Sequence, residues 1–305
     1  MSHRLLLIVN PDAGAGRLRK QSEALRAGLS RHGLAAETIF TERPGQAVEL
    51  AQEAGGRFGV VVAVGGDGTV NEVASGLLQA QGPAAVLGII PTGTGNDIAT
   101  QLGLRSVEVA LAALAKGIPR AFDVIEVTWG GGAERGRRFA LSFAAVGFAG
   151  ELIKRTTPRL KRLLGPRLCY SVGFVRALAG FEPPFMRVTV DGQAQEGRFF
   201  HVCAGNAEYA GGGVMRISPG ARMDDSQLNI CLIEAVGRLE ALRCLPRLLR
   251  GTHITHPKVR YFTGQALALQ ADPPSEVQLD GDSLGHTPAT FQLRPGAIRV
   301  LVPAS

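Results

Sequence analysis

Between Arg4 and about Val127, short apolar runs alternate with stretches of helical periodicity. That alternation selects a mostly parallel sheet with helices on both faces. The runs Leu5 to Val9, Ala36 to Phe40, Val60 to Val64, Val86 to Ile90 and Asp123 to Val127 predict strands. Leu18 to His32, Gly45 to Ala54, Val70 to Gln79 and Val107 to Lys116 predict the helices between them. After Trp129-Gly130-Gly131-Gly132 the texture changes to alternating β-type segments, at Met186 to Val190, Arg198 to Ala204, Gln227 to Ile233 and Ala266 to Leu269. Helical insertions around Arg159 to Leu178 and Arg238 to Arg250 interrupt them. A chain of 305 residues suits two cores better than one. The expected layout is an α/β domain over residues 1–127 and a β-rich domain over 128–305.

The strand Val60 to Val64 runs directly into Gly65-Gly66-Asp67-Gly68-Thr69, followed by Val70-Asn71-Glu72. Strand, glycine turn and helix in succession let backbone N–H groups approach a phosphate closely. The loop is not a Walker A motif, because no lysine-serine or lysine-threonine pair follows the glycines. A lone glycine pair after a buried strand is only a tight connection. Asp67 adds a carboxylate beside a phosphate-sized site, which calls for a Mg²⁺ ion to offset the repulsion. A second turn of this kind, Pro91-Thr92-Gly93-Thr94-Gly95-Asn96-Asp97, follows Leu87-Gly88-Ile89-Ile90 and brings a second aspartate. A third, Asn10 to Arg17, ends the first strand and adds a guanidinium suited to phosphate. Open α/β sheets bind ligands at such strand ends.

Other classes of site lack support. Cys169, Cys203, Cys231 and Cys244 show no CxxC pairing and read as reduced thiols, and the six histidines form no metal-binding pattern. No apolar run approaches the roughly 18 residues of a membrane span, and Leu5 to Val9 is cut short by Asn10-Pro11, so a cytoplasmic chain without a signal peptide is expected. The net charge of +7 favours an anionic partner. No basic zipper, zinc-finger spacing or aromatic RNA-binding signature is present, which puts nucleic acid behind a nucleotide phosphate or an acidic leaflet.

At these residues the sequence resembles the diacylglycerol kinase catalytic family, which includes soluble bacterial lipid kinases and the sphingosine and ceramide kinases. The three glycine turns fall in the family's order and spacing. Asn206 with Gly211-Gly212-Gly213, Ser218-Pro219-Gly220-Ala221, Asp224-Asp225 and Leu279-Asp280-Gly281-Asp282 resemble its later signatures. The resemblance implies an N-terminal nucleotide-binding domain like those of NAD kinases and phosphofructokinases, a C-terminal β-sandwich, and ATP bound between them. It puts Asn10, Thr41, Gly65, Gly66, Asp67, Gly68, Thr69, Val70, Asn71 and Thr94 around ATP. Asp67, Asp97 and Asp123 become an acidic network for catalytic Mg²⁺. Asp225, with the backbone carbonyls of Arg222 and Gln227, becomes a structural Mg²⁺ site, with Ser226 where the family has glycine. The catalytic base of the family is the glutamate of an Asp-Gly-Glu motif. Here that position is Asp282, shorter by one methylene, about 1.3 to 1.5 Å of reach.

The resemblance implies an ATP-dependent lipid kinase acting on a diacylglycerol, a ceramide or sphingoid base, or a phosphatidylglycerol. A kinase of a soluble substrate such as NAD, or a weakly catalytic lipid-binding regulator, is the alternative. Lys154, Arg155, Arg159, Lys161, Arg162, Arg167 and Arg176 surround leucines in the first helical insertion, and Arg243, Arg247 and Arg250 line the second. Basic amphipathic helices suit an anionic membrane, here the inner face, although such helices also pack leucines inward and merely solvate their arginines. A homodimer is left open.

Overall fold

The computed structural model describes residues 4–131 and 135–304. The side chains of residues 15–22, 158, 159, 161, 162, 166 and 167 lie outside the described residues, and with them the guanidinium of Arg17 and the charges of Arg159, Lys161, Arg162 and Arg167. The chain divides into two compact units, Met1–Phe122 with Gly296–Ser305, and Asp123–Pro295.

The first unit runs β1 (Leu5–Val9), α1 (Ala13–Arg31), β2 (Ala36–Phe40), α2 (Gln46–Ala54), β3 (Val60–Gly65), α3 (Asp67–Gln79), β4 (Val86–Pro91), α4 (Asp97–Gln101) and α5 (Val107–Lys116). Its strands are parallel, in the order β4, β3, β1, β2. The end of the chain returns to this sheet, with Val300 paired in parallel to Leu87. Every residue of β1 and β3 is buried, as expected where helices cover both faces of a sheet. Helix α5 spans the predicted residues because Ser106 accepts the Val109 N–H through Oγ (3.2 Å) and Lys116 sits in the last turn. Helix α3 begins at Asp67, three residues before the predicted start at Val70. Gly68 has poor intrinsic helix propensity, yet residues 67–69 form the first helical turn.

The second unit contains β5 (Ile118–Trp129) from Asp123 onward, β6 (Gly136–Ala140), β7 (Phe143–Gly147), α6 (Phe148–Arg155), α7 (Pro158–Gly180), β8 (Phe185–Val190), β9 (Gln193–Gly205), β10 (Leu228–Glu234), α8 (Arg238–Arg250), β11 (Val259–Gly264), β12 (Ala266–Asp272), β13 (Glu276–Leu279), β14 (Asp282–His286) and β15 (Ala289–Val302) up to Pro295. Strand β9 serves two antiparallel sheets. Its first half pairs with β8 (Phe185 opposite Arg198), and its second half with β7 (Gly147 opposite His201) and β10 (Cys231 opposite Cys203). Val188, Phe199, Leu232, Val277 and Phe291 fill the β-sandwich core between them.

Helices α6, α7 and α8 share a further apolar layer, in which Phe148 stacks on Phe200 with ring centroids 4.5 Å apart. The periodicity from Arg159 to Leu178 predicts one helix, but α7 is two helices broken at Gly165, whose φ of 73° and ψ of 166° no helix accommodates. Among the described residues no helix is long and apolar enough to cross a membrane.

Candidate active site

The carboxyl ends of β1 to β4 bring together the turns singled out in the sequence. Asn10 follows β1, donating its N–H to Val64 O (3.0 Å) and its Nδ2–H to Thr69 Oγ1 (3.2 Å). Thr41 follows β2, and its N–H donates to Val9 O (2.9 Å). Gly65 at the end of β3 accepts the N–H groups of Thr92 (2.9 Å) and Gly93 (3.2 Å) through its carbonyl, which fastens the second glycine turn to the first. These turns pack backbone to backbone. A Cβ on Gly93 would lie 2.4 Å from Gly66 Cα, closer than any side chain permits. Asn96, at φ 57°, closes the second turn by accepting the Gly93 N–H and donating to the Gly93 carbonyl, both at 3.0 Å.

Glycine thus opens the amino end of α3, where the first N–H groups of a helix have no acceptor within it and the macrodipole favours an anion. The Oγ1 of Thr92, in the second glycine turn, is buried with no hydrogen-bond partner among the described residues. Val70 and Asn71 face inward, and the Val70 N–H is already bound to Gly66 O (3.1 Å), whereas Thr94 is exposed. Asp67 accepts the Ile98 N–H on Oδ1 (3.0 Å). Burial, then the negative charge of Asp97, push the Asp67 carboxyl above its ordinary pKa, against the N–H groups of Ile98, Asp97 and Asn96. The pair suits a divalent cation, which would relieve that repulsion. Among the described residues no three His, Cys, Asp or Glu side chains gather to hold a metal, so phosphate oxygens and water would have to complete a Mg²⁺ shell.

The remaining predicted residues belong to the second unit. Leu279-Asp280-Gly281-Asp282 is a hairpin turn between β13 and β14, with positive φ at Asp280 (47°) and Gly281 (96°), as an Asp-Gly type I′ connection requires. Asp280 turns its carboxylate onto the N–H groups of Leu141 (3.1 Å), Ser142 (3.2 Å) and Phe143 (2.6 Å). Asn206 ties down the same segment. Its N–H donates to Ser142 O (2.7 Å), and its Nδ2 to Leu141 O (2.8 Å) and Asp123 O (2.9 Å). In the sequence Asp280 and Asn206 stand out only as parts of signatures. An acid opening an Asp-Gly turn was the available signal, but its three partners are distant in sequence.

Asp282 opens β14 with an exposed side chain. Protein crowding around its carboxyl raises the pKa from the ordinary value, opposed by the charge of Arg138. Asp123 is buried, accepting the Ser226 N–H on Oδ2 (2.7 Å). Ser226 adopts φ 59°, the left-handed region that explains glycine at this position in the resemblance. Asp225 accepts the Gln227 N–H on Oδ1 (3.1 Å), and Arg222 pairs with Asp224 (3.2 Å).

Two packed glycine turns on a parallel sheet, together with an antiparallel β-sandwich carrying an acidic hairpin, define a two-domain fold of the NAD kinase-like kind. Comparison with known proteins narrows the class. Residues 4–127 match the diacylglycerol kinase catalytic domain, and residues 146–302 match the YegS C-terminal NAD kinase beta sandwich-like domain. The chain belongs to the diacylglycerol kinase catalytic family, a family of lipid kinases. It is 28% identical to a diacylglycerol kinase of Bacillus subtilis (strain 168), over 98% of this chain and 96% of that one. It is 29% identical to a diacylglycerol kinase of Staphylococcus haemolyticus (strain JCSC1435), over 97% and 87%. A crystal structure described as a putative diacylglycerol kinase from Bacillus anthracis str. Sterne superposes with a TM-score of 0.80 at 26% identity, covering 99% of this chain and 96% of that one.

Proposed function

We propose that the protein transfers the γ-phosphoryl group of ATP to a lipid hydroxyl at the cytoplasmic face of a membrane, with diacylglycerol as the default acceptor. The observation that carries this reading is the contact of Gly66 with Gly93, which leaves backbone in place of side chains at the amino end of α3. In this reading the N–H groups of Gly68 and Thr69 bind phosphate oxygens. Asn10 orients Thr69 through the 3.2 Å bond to its hydroxyl, and Asp67 and Asp97 are the carboxylates that hold Mg²⁺. Bound Mg²⁺ would neutralise charge on the phosphate oxygens.

Asp282 takes the proton of the acceptor hydroxyl. Its raised pKa improves its match to that task, since a stronger base accepts a proton more readily in the transition state. Asp123 organises the loop from Met223 to Ser226, and Asp225 with the carbonyls of Arg222 and Gln227 is a candidate structural Mg²⁺ site. The test is transfer of labelled phosphate from Mg·ATP to extracted membrane lipids, run beside NAD. Label in a lipid supports the reading. Label in NAD alone transfers the case to a soluble-substrate kinase, and lipid binding with no turnover to a regulatory module.

A further inference from the structure

Helix α8 presents an unusual outer face. Of its residues only Ala241 is fully buried, while Leu239, Leu242 and Leu249 are 61%, 37% and 38% exposed. At about 100° per residue these leucines and the exposed Pro246 fall in one arc of roughly 80°. Arg238 borders that arc on one side, and Arg250, Arg243 and Arg247 on the other, all exposed. The helix therefore carries an apolar ridge between cationic flanks. Its single acid, Glu240, is occupied, since it accepts from Lys258 Nζ (2.8 Å) and from the Gly237 N–H (3.2 Å). None of the four arginines forms an ion pair among the described residues. The inner face of α8 packs Ala241, Leu245 and Leu248 into the layer shared with α6 and α7, so the outer leucines are not needed for that core.

We propose that α8 is the element that seats this protein on an anionic bilayer, with Leu239, Leu242 and Leu249 entering the acyl boundary and the flanking arginines engaging lipid phosphates. This deepens the lipid-kinase reading, on which it rests for the reason a bilayer is approached at all. Charge decides the occupant. A second copy docking through the same face would set these arginines against their own counterparts, a costly like-charge arrangement. An anionic leaflet satisfies both components, hydrocarbon for the ridge and phosphate for the flanks. The helix lies along the surface and does not span it, since its 13 residues rise about 20 Å.

The experiment is co-flotation of the full chain with phosphatidylcholine vesicles containing or lacking phosphatidylglycerol. Arg243→Gln, Arg247→Gln and Arg250→Gln should each weaken binding to anionic vesicles about fivefold. The triple variant Leu239→Ser, Leu242→Ser, Leu249→Ser should lose binding at low salt and also the residual binding that survives high salt. In a Leu242→Trp variant, brominated lipids should quench fluorescence beyond the quenching seen in the parent, which already contains Trp129. Equal binding of parent and both variant sets, or no added quenching at residue 242, overturns the proposal. A concentration-dependent dimer abolished by the leucine substitutions also overturns it, because the ridge is then a contact between copies. Turnover on a dispersed short-chain acceptor should stay at the parent level in every α8 variant. If the parent phosphorylates no acceptor in any form, the kinase reading fails, while flotation still decides whether α8 docks.

Discussion

Asp280→Asn isolates a single electrostatic contribution at the acidic hairpin. Asparagine tolerates the left-handed backbone at φ 47°, so the turn itself is not strained by the change. The amide oxygen can take the place of Oδ2 and still receive the N–H groups of Leu141 and Ser142, now without charge. The amide nitrogen then replaces Oδ1 and faces the Phe143 N–H, donor against donor. The stranded donor costs about 1–3 kcal/mol. Native-state hydrogen exchange reads this directly, through faster exchange at the amides of 141–143 and a lower melting temperature. Lipid phosphorylation should fall as well, because Asp282 leaves the same hairpin and Asn206 braces the segment that Asp280 holds, while ATP binding to the first unit should persist. Unchanged protection at all three amides, with the melting temperature within a degree of the parent, would refute the assignment of Asp280 as the clamp.

Asp67→Asn should abolish turnover and keep the melting transition, since the amide oxygen can still cap the Ile98 N–H; activity near the parent level in a phosphate-transfer assay would remove Asp67 from the metal site. Asp282→Asn should lower lipid phosphorylation by the roughly 10²- to 10⁴-fold typical of general-base catalysis, and Asp282→Glu should retain or raise it; an asparagine variant as active as the parent with every acceptor would put the base elsewhere. Protein packed around the half-buried His201 ring, and then His253 nearby, push its folded-state pKa down to about 4, below an unfolded value of about 6.5. The unfolded chain then binds more protons between those values, and stability should fall by about 3 kcal/mol as pH drops from 6.5 to 4, with no contribution from this group above 6.5. Urea midpoints measured across that range, with His201→Gln flattening the slope, check the sign; a parent slope equal to that of the variant would count against a ring held neutral in the fold.

Much of the first unit was legible in the chain because parallel strands covered on both faces must be apolar along their length. Leu5 to Val9 and Val60 to Val64 could scarcely belong anywhere else. The packed glycine turns were legible for a related reason: close approach of two backbones demands glycine, and Gly66 and Gly93 meet that demand by residue type alone. The helical insertions were only half legible, since apolar periodicity continues straight through Gly165, where a positive φ divides the helix.

Tertiary structure decided what periodicity does not encode. That α3 starts at Asp67 depends on the glycine turn being held by β4. That Val300 returns to pair with Leu87 depends on contacts across more than two hundred residues. Whether the leucines of α8 point inward or outward also needed the fold, because leucines at helical spacing look alike in a sequence whether they meet a core or solvent. Asp280 shows the general reason. Its residue type and turn were determined locally, by an Asp-Gly pair between two strands. Its three N–H partners lie about 140 residues away, and only the pairing of β13 with β7 brings them within reach of the carboxylate.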